Sequence, residues 1–220
     1  MSVEYDKPNI FIVGVSGSGK STSLRNLNPE ETIILNTERE ELPFKAAASF
    51  KKKIVITSLV QFESAFNKAL EADNCRTIVI ESFTALAELV YKHCVRNAGG
   101  EGYAAWQTYK DTIHDILLAS KVADRHVVFL GIDDFTQDEQ MRGYRTISVQ
   151  GGLKGKIEKE FQIVLWTRVV QGNDGPEYAF VTNSDGINKA KSPMDMFEDQ
   201  YIPNDLQQVL ETINDYYTGE

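Results

Sequence analysis

Short, almost unbroken apolar runs recur along this chain at Ile10–Val13, Thr32–Asn36, 54–57, 77–80 and 126–130. Runs this brief and this uniformly apolar predict strands buried on both faces, as in the middle of a parallel sheet. Between them the periodicity changes to that of helices. Ser58 with Gln61 forms a capping-box pattern, Leu59, Phe62, Phe66 and Leu70 line one apolar face, and Asn74 stops the helix. Two further helices are predicted over 83–97, closed by Gly99-Gly100, and over 103–121. Strands alternating with helices in this way imply right-handed βαβ units and a mainly parallel sheet. After Gln150 the pattern turns antiparallel, with strands at 161–170 and 178–182 joined by a longer hairpin loop, 171–176. Asn204 is expected to cap a final helix ending near Tyr217. The fold class is therefore α/β: a mainly parallel central sheet flanked by helices, with a C-terminal antiparallel β extension.

Length and composition narrow the class. At 220 residues and 42% hydrophobic, the chain is long enough for one well-buried domain spanning 1–220, with a core over about 8–165 and the extension after it. No apolar run approaches the roughly 20 residues that cross a bilayer. The first ten residues lack both the basic and the apolar part of a secretory signal, so a cytoplasmic location is expected. Cys75 and Cys94 are not in C-x-x-C spacing and are expected to be free thiols. The net charge of −9 argues against a surface coated with nucleic-acid contacts but leaves room for a local basic loop. Lys51-Lys52-Lys53 reads as a solvated strand entrance before it reads as a binding patch.

Chemistry enters directly after the first strand. Gly14-Val15-Ser16-Gly17-Ser18-Gly19-Lys20-Ser21 spells G-x-x-x-x-G-K-S, and a short helix is expected at 21–27. Strand, Gly-rich loop and helix in that order are the context in which this motif binds phosphate. Backbone N–H groups of Ser16, Gly17, Ser18 and Gly19 would wrap the phosphates, helped by the helix dipole. Lys20 would neutralise the β- and γ-phosphates, Ser21 would ligate Mg²⁺, and Thr22 would reach the α-phosphate.

Hydrolysis needs carboxylates at strand ends. Glu81, with Ser82 after it, closes the fourth strand and is placed for the Mg²⁺ shell, one methylene longer than the usual Asp. Glu38 follows the second strand, read as lying next to the P-loop strand, where it would polarise the attacking water. Arg39, Glu40 and Glu41 crowd around it, so an ordinary surface turn is the competing reading.

The order of P-loop, Ile34-Leu35-Asn36-Thr37-Glu38-Arg39 and Ile78-Val79-Ile80-Glu81-Ser82-Phe83-Thr84-Ala85-Leu86 resembles the RecA-like ATPase core over roughly residues 8–165. The short helix and the phrase N-T-E-R-E-E-L-P-F-K are similar to the compact single-strand-annealing ATPases of tailed phages. That resemblance implies ATP and Mg²⁺ as cofactors, catalysis by Glu38 with Lys20 and Glu81, and a homo-oligomer, ring or filament, working on single-stranded DNA. Asp133-Asp134 departs from it, standing where the family often carries a polar sensor; a metal role and a turn start are both open. The resemblance also implies two DNA-facing loops. The first candidate contains Arg96, Gly99, Gly100 and Tyr103; the second, 136–146, contains Arg142, Tyr144 and Arg145 alongside the opposing charges of Asp138 and Glu139. Glycine, arginine and tyrosine together suit sequence-tolerant single-strand binding, and two plain solvent loops are the alternative. Lys154 or Lys156 would complete a neighbour's ATP site, unless Glu158 and Glu160 make that stretch a salt-laced helix start. Trp106 and Trp166 are expected in the core or an interface. Rival functions are a nucleotide-gated DNA-binding scaffold, a small-molecule kinase, which the lack of an Arg-rich lid disfavours, and an NTPase acting on proteins.

Overall fold

The structure is a computed structural model that describes residues 7–138, 140–172 and 175–219. Glu139 and the Asn173-Asp174 centre of the expected hairpin loop lie outside the described residues. Among the described residues ten strands and four α-helices follow in chain order: β1 (Ile10–Val13), β2 (Thr32–Asn36), β3 (Lys53–Val55), α1 (Leu59–Leu70), β4 (Thr77–Glu81), α2 (Phe83–Asn97), α3 (Tyr103–Lys121), β5 (His126–Gly131), β6 (Asp133–Gln137), β7 (Gly143–Ile147), β8 (Ile163–Gly172), β9 (Gly175–Val181), β10 (Tyr201–Pro203) and α4 (Leu206–Thr218). Eight strands form one sheet in the order β10-β9-β8-β1-β5-β4-β2-β3, while β6 and β7 make a separate two-stranded ribbon. From β8 to β3 every pairing is parallel; β9 and β10 add antiparallel strands at the far edge.

Alternation within each strand sends side chains to two layers. Phe11 and Val13 of β1 join Phe62, Phe83, Leu86, Tyr109 and Ile113 under α1, α2 and α3. Ile10 and Ile12 point the other way and join Leu24, Leu206, Val209 and Ile213 under α4. Both faces are covered, which is why the strands read as continuous apolar runs. Phe11 packs edge-on against Phe83 and Phe161 at 5.4 and 4.9 Å between ring centres, anchoring the strand that leads into the P-loop.

Several expectations are corrected. The helix after the P-loop is a 3₁₀ segment, Ser21–Asn26. Ser23 bonds back to the Lys20 carbonyl at 2.6 Å, and Asn28 precedes Pro29, which disfavours helix continuation there. So short a segment has little macrodipole, so the dipole contribution expected for phosphate binding is small. The two ends of the 136–146 stretch, Thr136-Gln137 and 143–146, pair in the β6–β7 ribbon instead of forming a plain loop, a pairing missed because its residues are mostly polar. The β8–β9 ladder continues to Gly172 opposite Gly175, so the connection is two residues rather than six. The cap of α4 is Asp205, whose carboxylate accepts from the Gln207 N–H at 3.0 Å; Asn204 plays no capping role. The short edge strand β10 carried no hydrophobic signal. Cys75 and Cys94 are buried free thiols, and Trp166 is buried, as expected. Among the described residues no helix is long and apolar enough to cross a membrane.

Candidate nucleotide site

The loop from Gly14 to Lys20 leaves the C-terminal end of β1 and is shaped by what surrounds it. A methyl group on Gly14 would lie 1.9 Å from Thr167 Oγ1, so no side chain fits there. Thr167, from the neighbouring β8, donates to the Val13 carbonyl at 3.1 Å and shares a 2.5 Å hydrogen bond with Ser18 Oγ. Gly17 and Gly19 have φ of +75° and +97°, which glycine adopts without strain. Lys20 Nζ donates to the carbonyls of Gly14 and Val15 at 2.9 and 2.8 Å and closes the loop on itself. Burial pulls the Lys20 ammonium below its usual pKa, partly offset by the carboxylates of Glu81, Asp133 and Glu38.

The two strand-end glutamates reach the same cleft, though not by the adjacency expected. β2 is not next to β1; β5 and β4 lie between them. Backbone and side-chain bonds bring the strand ends together instead. The Thr37 N–H donates to the Glu81 carbonyl at 2.6 Å, Thr37 Oγ1 donates to the Ser82 carbonyl at 2.7 Å, and the Ser82 N–H returns a bond to Thr37 Oγ1 at 2.8 Å. Ser82 Oγ donates to Glu38 Oε1, fixing that carboxylate over the cleft. Asn36 holds the turn that carries Glu38, accepting from the Arg39 N–H at 2.8 Å and donating to the Glu40 carbonyl at 2.7 Å.

Glu81 is 9% exposed and accepts from Ser21 Oγ at 2.7 Å, while its Oε2 is buried with no partner. Burial pushes its carboxyl up to about 7, opposed by the Ser21 hydrogen bond and the Lys20 charge. A hydroxyl and a carboxylate with an unmatched oxygen are hard oxygen donors of the kind Mg²⁺ takes. Among the described residues no group of three or more His, Cys, Asp or Glu side chains could hold a metal. A Mg²⁺ ion here would draw on Ser21, Glu81, water and nucleotide phosphates, as Mg²⁺ sites commonly do. The cleft, about 320 Å³, is bounded by the P-loop, Lys20, Ser21, Thr22, Glu38, Glu81, Ile132 and Tyr178.

The remaining candidates are scattered. Arg96 ends α2, and Tyr103 opens α3 at 85% exposure; Gly99 and Gly100 between them have positive φ. In the ribbon, Arg142 is paired with Asp138 at 2.8 Å and Arg145 with Asp133 at 2.5 Å, each through one nitrogen of a guanidinium that is otherwise exposed. Tyr144 lies beneath the Lys189 ammonium, 4.4 Å from its ring centre. Lys154 is held in its own chain by Asp134 at 2.6 Å, whereas Lys156 is exposed. Glu158 is buried and accepts from the Ile147 N–H at 2.9 Å, and Glu160 accepts from Lys121 at 2.7 Å, so this stretch is internally bonded. Trp106 packs at a tilt against Tyr91, with 4.6 Å between ring centres. Thr37, Thr167, Tyr178 and Asn204, all at or beside the cleft, carried no motif by which a sequence reading could find them.

A family model described as AAA domain matches residues 6–194. Among solved structures, a KaiC-like protein from the hyperthermophilic archaeon Pyrococcus horikoshii OT3 aligns at 11% identity and a TM-score of 0.47, over 80% of this chain and 78% of that one. No curated protein sequence matches.

Proposed function

The chain belongs to the AAA-domain family, and on that footing we propose that it is a Mg²⁺-dependent ATPase of RecA-like type acting on single-stranded DNA in annealing or recombination. The carrying observation is convergence: Lys20-Ser21, Glu38 and Glu81, from three separate stretches of sequence, border one cleft. Lys20 and the loop N–H groups bind the phosphates and hold the γ-phosphoryl in place. Ser21 and Glu81 would hold Mg²⁺ through their side-chain oxygens, and the ion would supply positive charge against the phosphates. Ser82 holds one oxygen of Glu38, and the other accepts a hydrogen bond from the attacking water. The phage-type resemblance and the exposed Arg96 and Tyr103 beside two flexible-backbone glycines support the DNA part. A homo-oligomer, ring or filament, follows from the same resemblance, with exposed Lys156 as the residue offered to a neighbour.

A second reading, a nucleotide-gated DNA-binding scaffold with little turnover, is favoured by one observation: the raised pKa of Glu81 leaves its carboxyl half protonated near pH 7. Measuring ATP turnover with and without single-stranded DNA, for the native chain and Glu38→Gln, separates the two. The enzyme reading expects DNA-stimulated turnover that Glu38→Gln lowers about a hundredfold or more at unchanged ATP affinity. DNA binding should weaken with salt. Nucleotide-dependent DNA binding without turnover selects the scaffold, and salt-insensitive or absent DNA binding removes the DNA claim.

A further inference from the structure

Asn204 is 3% exposed, and both ends of its side-chain amide, Oδ1 and Nδ2, are buried without a hydrogen-bond partner. Such a group is destabilising unless something matches it. It is not a helix cap, since Asp205 fills that role. Its place is beside the P-loop: a methyl group on Gly19 would lie 3.2 Å from Oδ1, 3.3 Å from Nδ2 and 2.9 Å from Cδ1 of the Tyr178 ring. Tyr178 is 45% exposed and borders the cleft.

The Asn204 backbone is held firmly from both sides. Its N–H donates to the Tyr178 carbonyl at 3.2 Å, and its own carbonyl accepts from Arg25 Nη1 at 2.6 Å. Asn26 Nδ2 donates to Asp205 Oδ2 at 2.6 Å. Arg25 and Asn26 belong to the 3₁₀ segment that follows the P-loop, so the segment bearing Asn204 is locked to the element carrying the phosphate-binding Ser21 and Thr22.

We propose that Tyr178 and Asn204 form the base-recognition subsite of this cleft, and that the base is adenine. An amide presents one donor and one acceptor side by side; adenine's exocyclic amine and adjacent ring nitrogen match them in one order, guanine's O6 and ring N–H in the reverse order. An amide held in one orientation by its packing therefore selects between them, and the ATP reading of the site makes the choice adenine. The half-exposed Tyr178 ring gives the base a stacking face at the rim of the phosphate cradle. Rotation of that ring off Gly19 onto the base uncovers the amide behind it. The ligand thus supplies both of the hydrogen bonds that the unliganded chain leaves unmade.

The inference rests on the nucleotide-binding reading of the P-loop, and inorganic tripolyphosphate separates the two, because it offers the phosphates without a base. Affinities for ATP, GTP and tripolyphosphate are measured on the full chain and on Asn204→Ala, Tyr178→Ala and Tyr178→Phe, together with unliganded melting temperatures. The subsite predicts that the native chain prefers ATP to GTP and that Asn204→Ala lowers this preference about tenfold. Tyr178→Ala weakens ATP about tenfold, Tyr178→Phe keeps it, and all variants bind tripolyphosphate like the native chain. Melting of unliganded Asn204→Ala is unchanged or raised, because an unmatched polar group has been removed. Equal losses of tripolyphosphate and ATP, or an unaltered ATP-to-GTP ratio in Asn204→Ala, overturn the subsite and leave the P-loop reading intact. A native chain that binds neither ATP nor tripolyphosphate overturns that reading itself.

Discussion

On the proposed function, Lys20 would exchange one set of partners for another, and that exchange would govern affinity. Without phosphate its ammonium donates to the Gly14 and Val15 carbonyls and is partly buried, with a lowered pKa. On the nucleotide-binding reading, anionic phosphate oxygens would replace those neutral carbonyls, so that both partners of the contact carry charge. Lys20→Ala removes both the phosphate contact and the tie that shapes the loop. ATP affinity should fall at least about a hundredfold, equivalent to about 2.7 kcal/mol, as read by titration calorimetry. An affinity within twofold of the native value would place the phosphates elsewhere. Lys20, Ser21 and the loop glycines are legible in sequence because phosphate binding fixes their spacing along the chain. Thr167 is not legible, because its contact with Ser18 crosses from β1 to β8 and leaves no local trace.

The elements of the parallel core were readable because double burial writes a continuous apolar run into each strand. The β6–β7 ribbon shows the limit of that signal. Phe135 is exposed, and the pairing is maintained by backbone bonds and by charges rather than by an apolar stripe. Asp133 has 3% side-chain exposure and Arg145 44%, with 2.5 Å between them; Asp134 meets Lys154 at 2.6 Å. The first tie crosses the ribbon from β7 to β6, and the second fastens β6 to the segment that follows β7. Removing one partner of a buried carboxylate costs more than the pair contributes, because the charge left behind has lost its compensation. Arg145→Ala should destabilise the chain by about 2 kcal/mol, and Asp133→Asn in the same chain should recover roughly half of that. Urea unfolding of the single and double variants measures the coupling; strictly additive losses would show that the pair is not holding the ribbon.

At the scale of the whole molecule, two buried groups at opposite ends of the adjacent strands β5 and β4 set opposing pH dependences. His126 starts β5 beside Asn214 of α4, at 3.1 Å, and burial lowers its pKa to about 4. The unfolded chain binds that proton first, so the stability contributed by neutral His126 is present above about pH 6.5 and is lost as pH falls through 4. Glu81 behaves in reverse. Its carboxyl is raised to about 7, so the folded chain keeps a proton that the unfolded chain releases. That contribution is complete below about pH 4.5 and is lost as pH rises through 7. Between pH 5 and 6.5 the two slopes oppose each other, each amounting to at most about 2 kcal/mol over that interval. The unliganded native chain should therefore show nearly flat stability there. Glu81→Gln leaves His126 alone and should become more stable as pH rises; His126→Gln leaves Glu81 alone and should become less stable. Denaturant unfolding at pH 5, 5.75 and 6.5 reads all three slopes. If Glu81→Gln stays as flat as the native chain, Glu81 is ionised throughout this range. The cleft would then be charged for metal before nucleotide arrives, and the scaffold reading would lose its supporting observation.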